Sequence, residues 1–192
     1  MQNARYPGAE FSFELFPPKT ETGSESLRTT RARLAALSPR FFSVTYGAGG
    51  TTQARSFDTI AAILDEAQVS VVPHLTCIGS SEEGIRTILN RFRDQGIRRL
   101  VALRGDFPPG AETGTGGHFG HAAELVAMIR SEHGDWFDID VGCYPEVHPQ
   151  AASAKADLMH FKAKVDAGAS GAITQYFYTL DAYDRFVDRC RS

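Results

Sequence analysis

Six short apolar runs, spaced almost evenly and separated by longer amphipathic stretches, constrain the fold more than any other feature of this sequence. They are Phe11–Phe16, Phe41–Tyr46, Ser70–Thr76, Arg98–Gly105, Asp138–Tyr144 and Gly171–Phe177. Short length with β-branched and aromatic content predicts strands. Between them apolar residues recur at helical steps: Phe57, Ile60, Leu64 and Ala67, then Ile85, Leu89 and Phe92, then Leu158, Phe161 and Val165. Ser81 ahead of Glu82 and Glu83 marks a helix start, because a hydroxyl caps free amides and acids suit the positive end of the dipole. Gly96 and Gly168 stand where helices must end. Strict alternation predicts parallel strands joined by helical crossovers, in a single domain over residues 1–192.

Two architectures satisfy that order, a doubly wound open sheet and a (β/α)8 barrel. Side-chain alternation places Phe13, Leu15, Val44, Val71, Val101, Leu103, Val141 and Cys143 on an apolar, helix-packing face. The opposite face begins with mostly small residues (Ser12, Ser43, Val72, Ala102, Gly142, Ile173). It ends in Glu14, Thr45, His74, Arg104, Tyr144 and Gln175. Polar groups at the C-terminal level of six strands are the barrel arrangement; an open sheet gathers them at one switch point. The expected fold is therefore a (β/α)8 TIM barrel. A complete barrel takes ~250 residues, so a chain of 192 supplies about six of its units and is incomplete at its C-terminus.

Composition narrows the function classes. The formal net charge of −3 leaves no basic footprint for nucleic acid or an anionic membrane. No run approaches the ~20 apolar residues of a membrane span. Three cysteines, Cys77, Cys143 and Cys190, form no CxxC pair, which fits a reducing cytoplasm.

Several residues carry chemistry. Glu14 lies inside an aromatic strand, where a buried carboxylate needs either a raised pKa, which makes a good general acid, or a cationic partner such as Arg104. Arg104-Gly105-Asp106 joins a guanidinium, a bare backbone and a carboxylate at a strand end, and a local ion pair is the plainer reading. The glycine-rich stretch Phe107–Gly120 reads as a lid or as disorder. Gly47-Ala48-Gly49-Gly50-Thr51-Thr52 opens a helix but matches neither dinucleotide nor P-loop spacing. His74, Tyr144, Glu146 and His148 favour hydrogen bonds to an organic ligand over a metal. His118 and His121 read as solvated, and His133 and His160 as helix-surface positions. None of Lys19, Lys155, Lys162 and Lys164 ends a strand, which disfavours Schiff-base chemistry. Cys77 and Cys143 read as small core or rim residues.

The strand ends are themselves recognisable. FELFPPKT (Phe13 to Thr20), SVTYGAGGTT (Ser43 to Thr52), PHLTC (Pro73 to Cys77), ALRGD with FPPG (Ala102 to Gly110), YPEVHP (Tyr144 to Pro149), KVDAGA (Lys164 to Ala169) and AITQYF (Ala172 to Phe177) together resemble methylenetetrahydrofolate reductase, in family order from about Phe11 to Cys190. The resemblance is to the bacterial single-domain type. It implies a cytoplasmic flavoenzyme that uses FAD to carry a hydride from NADH or NADPH to methylenetetrahydrofolate by a ping-pong scheme, giving methyltetrahydrofolate for methionine biosynthesis. Glu14 matches the family's acid, which protonates the folate so that its five-membered ring opens to an iminium. Asp106 matches the aspartate near the flavin and pterin, and Gln175 the folate-binding glutamine. The implied FAD shell is Thr45, Tyr46, Ala48, His74, Arg104, Gly105, Asp106, Ala122, Tyr144, His148, Asp157 and Lys164, with no metal. The expected partners are the folate, NAD(P)H and further copies of the chain as a homo-oligomer. The rival reading is a truncated, non-catalytic chain that acts only by self-association; a pterin-binding pteroate synthase barrel lacks its motifs here.

Overall fold

The structure is a computed structural model that describes residues 10–46, 50–66, 69–106 and 118–191. The sequence-based expectations for Gly47, Ala48, Gly49 and Ala67, and for residues 107–117 of the glycine-rich stretch, lie outside the described residues. The chain packs as two compact units, Met1–His74 and Leu75–Ser192.

Unit 1 contains β1 (Phe13–Leu15), α1 (Glu21–Ala35), β2 (Phe41–Val44), α2 (Gly50–Glu66) and the first part of β3 (Ser70–Thr76). The three strands run parallel with β2 in the middle, and Glu14, Ser43 and Val72 are aligned in register. Phe42, Val44, Ile60 and Ile63 are almost wholly buried. The buried stripe of α2 is Phe57, Ile60 and Ile63, whereas Leu64, expected on that stripe, is 39% exposed. A step of three or of four from Ile60 is equally helical, so spacing alone could not choose between Ile63 and Leu64. Arg31, 6% exposed, reaches from α1 to the Glu66 carboxylate at 2.6 Å.

Unit 2 continues through the end of β3, α3 (Glu82–Asp94), β4 (Arg99–Leu103), α4 (Ala122–His133), β5 (Asp138–Cys143), α5 (Ala154–Asp166), β6 (Gly171–Thr174) and α6 (Leu180–Arg191). Strands β4, β5 and β6 pair side by side and parallel. Helix α3 follows the sequence reading: Ser81 caps it by accepting from the Gly84 amide at 3.1 Å, and Ile85, Leu89 and Phe92 are fully buried. Helix α5 departs from it. None of its residues is buried, and Val165 is 47% exposed. No helix among the described residues is long and apolar enough to cross a membrane.

The alternation expected for β4 is displaced by one residue. Val101 pairs with Asp140 and Ala102 with Val141, so Val101 and Leu103 share a face with Gly142 and Ile173. A Cβ on Gly142 would stand 3.6 Å from the Leu103 side chain, as that face requires. Arg104 therefore continues the opposite, helix-packing face. Strand β4 is apolar on both faces, so its pattern carries no parity.

Arg130 of α4 gathers backbone from three segments. Its guanidinium donates to the carbonyls of Gly134 (3.0 Å), Phe137 (2.8 Å) and Gly168 (2.8 Å) and to the Ser170 hydroxyl (2.7 Å). Near the end of the same helix, both ring nitrogens of His133 are shielded from solvent and lack partners. Burial, with the Arg93 charge adding to it and Glu132 opposing, lowers the His133 pKa. Its folded-state pKa therefore lies below the unfolded value of ~6.5, and protonation favours the unfolded chain. This contribution to stability is complete above about pH 6.5 and is lost as pH falls toward the folded pKa. His133→Phe should flatten that acid limb, seen as a smaller drop in the urea midpoint between pH 7.5 and about pH 5.5 than in the parent.

Candidate functional site

The strands end early, and the residues just beyond them carry the polar chemistry. In unit 2 these line a cavity of about 610 Å³ bounded by Arg104, Gly105 and Asp106 after β4, by the start of α4, by Tyr144 and His148 after β5, and by Asp157 and Lys164 of α5. Ala122, the first residue of α4, lies on its wall.

Each wall residue is fixed locally. Arg104 donates to Gln150 Oε1 at 2.7 Å and to the Gly105 carbonyl at 3.1 Å. Gly105 has φ +87°, and a Cβ there would meet Ile78 at 2.8 Å and Thr76 at 3.0 Å, so the backbone turns where only glycine fits. The Thr76 hydroxyl beneath it is buried without a partner. Asp157 accepts from the His148 amide at 2.9 Å, and the Tyr144 ring stands edge-on to His148 at 4.5 Å. Burial raises the Tyr144 phenol pKa, with Asp106 and Asp157 adding to the effect and Arg104 opposing it.

Lys164 extends its ammonium from α5 to the Gly142 carbonyl. Burial lowers its pKa, while Cys143 and Asp157 oppose that shift. Burial pushes the neighbouring Cys143 thiol up to about 11, and Cys77 likewise up to about 11, so both remain protonated, as small core residues would.

Two histidines, exposed as the sequence reading has them, also border this cavity. His121, the N-cap of α4, and His160 of α5 both line it, and their rings stack at 5.2 Å. Spacing of 39 residues on different helices gives no sequence signal for such a pair. Gln175 does not line this cavity; it is exposed beyond β6, and its backbone N–H donates to the Cys143 carbonyl at 2.7 Å.

Unit 1 holds a second group of expected residues. Glu14 is exposed rather than buried, which removes the premise from which its altered acidity was expected. Its carboxylate stands 3.5 Å from His74 Nε2. The Thr45 amide donates to the Leu15 carbonyl at 3.1 Å, and its own carbonyl accepts from Ser56 Oγ at 3.0 Å. Tyr46 is 9% exposed, and its hydroxyl is shielded from solvent without a hydrogen bond. Burial raises that phenol's pKa well beyond the usual range, against the opposing effect of Gln53.

Comparison with known proteins accounts for the pattern. The family model described as methylenetetrahydrofolate reductase matches residues 2–192. The chain is 47% identical over 181 residues to 5,10-methylenetetrahydrofolate reductase of Salmonella typhimurium and equally to that of Escherichia coli, covering 94% of this chain and 59% of each relative. It is 41% identical to methylenetetrahydrofolate reductase (NADH) 1 of Arabidopsis thaliana, of which it spans 32%. Among solved structures, an uncharacterized Clostridium thermocellum protein that binds two copies of 5-methyl-5,6,7,8-tetrahydrofolic acid matches with a TM-score of 0.65 at 13% identity, over 94% of this chain and 59% of that one. That likeness gives the fold: the six βα units are part of a (β/α) barrel.

Proposed function

This chain belongs to the methylenetetrahydrofolate reductase family, and from that premise we propose that it carries the flavin site and the proton donor for reduction of methylenetetrahydrofolate to methyltetrahydrofolate by NADH or NADPH. The observation that carries the reading is the cavity of about 610 Å³ with cationic Arg104 and Lys164 beside the bare backbone of Gly105.

The residues present fit FAD. A dinucleotide needs cations for its diphosphate, a close backbone and hydrogen-bonding groups for its ribityl and ring edges. Arg104 and Lys164 supply the charge; Gly105 leaves the backbone uncovered; His148, Asp157, Tyr144 and Ala122 complete the wall. On the family resemblance, Thr45, Tyr46, Ala48 and His74 of unit 1 are further FAD residues. Bound FAD would supply a two-electron carrier between the nicotinamide and the folate.

Asp106 sets a carboxylate on the cavity wall, and negative charge beside an electron acceptor makes it a weaker oxidant. Glu14 protonates the folate ring nitrogen, and its exposed carboxyl has room to reach a ligand. Gln175, exposed beyond β6, holds the folate through its amide. This chemistry supplies the methyl donor for methionine biosynthesis in the cytoplasm.

The test is the visible spectrum of the purified 192-residue chain with added FAD, followed by anaerobic NADH and then methylenetetrahydrofolate. Uptake of flavin, bleaching by NADH and recovery of colour with the folate are expected. Failure to retain flavin would overturn the assignment of the cavity. Lys164→Met removes one charge-assisted contact worth ~1.5 kcal/mol or more, so FAD should bind at least ~10-fold more weakly in a fluorescence titration, with an unchanged far-ultraviolet spectrum.

A second reading, a non-catalytic chain that acts only by self-association, has one observation in its favour. Ile173, Tyr176, Tyr178 and Leu180 around β6 are 40–85% exposed. Sedimentation at two protein concentrations separates it from a monomeric reductase.

A further inference from the structure

We propose that His74 acts through Glu14, the two sharing one proton that His74 holds and Glu14 delivers. The inference rests on the reading of Glu14 as the acid and adds a positioning residue to it. The geometry lies within unit 1. Glu14 on β1 is aligned with Ser43 on β2 and Val72 on β3, and His74 follows Val72 by one pleat on the same face. Its Nε2 reaches across β2 to within 3.5 Å of Glu14 Oε2. Between them β2 presents Ser43 and, by continued alternation, Thr45, neither of which is ionisable.

The two side chains differ in solvation, and the difference gives the pair a direction. The Glu14 side chain is 48% exposed and that of His74 only 12%. Burial opposes a charge on the imidazole, and the Glu14 carboxylate is the charge that offsets it. Burial outweighs that offset and the imidazole pKa is lowered, so a proton held there while Glu14 is anionic is given up readily. The Nε2–H bond of the His74 imidazolium breaks as an O–H bond forms on Glu14 Oε2, leaving the neutral imidazole that burial favours. That O–H bond then breaks as an N–H bond forms on the folate, and the pair takes up its one proton again from solvent. A separation of 3.5 Å is longer than a hydrogen bond, and catalytic contacts of this kind tighten when ligand binds. Groups this close titrate as a pair, the last proton belonging to both.

The decisive experiment follows the His74 imidazole by NMR across pH in the 192-residue chain and in Glu14→Gln. Loss of the carboxylate should lower the His74 midpoint by about half a unit or more; an unmoved midpoint overturns the proposal. Glu14 is half exposed, so its amide variant keeps the fold and decides the question even if a His74 variant does not fold. His74→Gln places an amide nitrogen near Nε2 without a titrating proton. In that variant Glu14 no longer has an imidazole with which to share the proton. The alkaline limb of folate reduction, followed as a separate half-reaction, should therefore move to lower pH. A merely structural role would lower the rate without moving the limb, and that result overturns the proposal. Should Glu14→Gln lower the His74 midpoint yet leave folate reduction intact, the premise about Glu14 fails and the relay with it. Should it abolish folate reduction with the midpoint unmoved, the relay alone fails.

Discussion

In Glu14→Gln, folate reduction should fall by roughly 10²- to 10⁴-fold, the contribution of a positioned general acid, while NAD(P)H still bleaches the flavin at the parent rate. Gln keeps the shape of the side chain and removes its transferable proton. The position tolerates the change, because the Glu14 side chain is 48% exposed and its ionic neighbour is His74 rather than a buried network. The two half-reactions are separable by stopped-flow absorbance: NADH added anaerobically reports the first, and methylenetetrahydrofolate added to the reduced enzyme reports the second. A general acid for the folate has no part in hydride transfer from the nicotinamide, so only the second should collapse. Equal loss in both would mean that Glu14 supports the cofactor site and donates no proton. An unchanged second half-reaction would move the acid elsewhere in the protein.

The strand pattern was legible because each run is short and rich in β-branched and aromatic residues. Ser70–Thr76 was read with the bounds the structure gives, and the other five proved shorter at their ends. The residues cut from the ends of β4 and β5, among them Arg104 and Tyr144, line the cavity of unit 2. Strand order and element type are written in local composition. The face that a doubly buried strand shows to its neighbour is not: β4 pairs Val101 with Asp140, a register fixed by contact with β5.

Charged and imidazole side chains were harder to place for the same reason. Nothing in the spacing around Arg130 points to its partners Gly168 and Ser170, which lie 38 and 40 residues away. His121 and His160 meet only because α4 and α5 both border the cavity. Glu14 was expected to be buried because it sits between Phe13 and Leu15, but alternation turns it to the opposite face from both. The family resemblance supplied roles for residues such as Asp157 and Lys164 that periodicity alone would have left on a helix surface.

Gly105 should be the least replaceable position of the cavity wall. Two costs meet there: φ of +87° disfavours any residue with a Cβ, and a Cβ would lie 2.8 Å from Ile78 Cγ2 and 3.0 Å from Thr76 Cβ. Backbone strain of this kind costs ~1–3 kcal/mol, and overpacking adds ~1–3 kcal/mol. Gly105→Ala should thus lower stability by more than ~2 kcal/mol and weaken FAD binding sharply, because relief of the clash moves Arg104 and Asp106 away from the cavity. Gly79→Ala is the control. Its φ of +70° is also left-handed, but nothing lies within 4 Å of the added Cβ, so it should cost only the dihedral strain. Ile78→Ala combined with Gly105→Ala removes the 2.8 Å contact and should restore part of the loss, a favourable coupling in a double-mutant cycle. Urea midpoints and FAD titrations on the four variants measure both effects. If Gly105→Ala costs no more than Gly79→Ala, the close approach to β3 does not constrain the wall, and the glycine serves the turn alone.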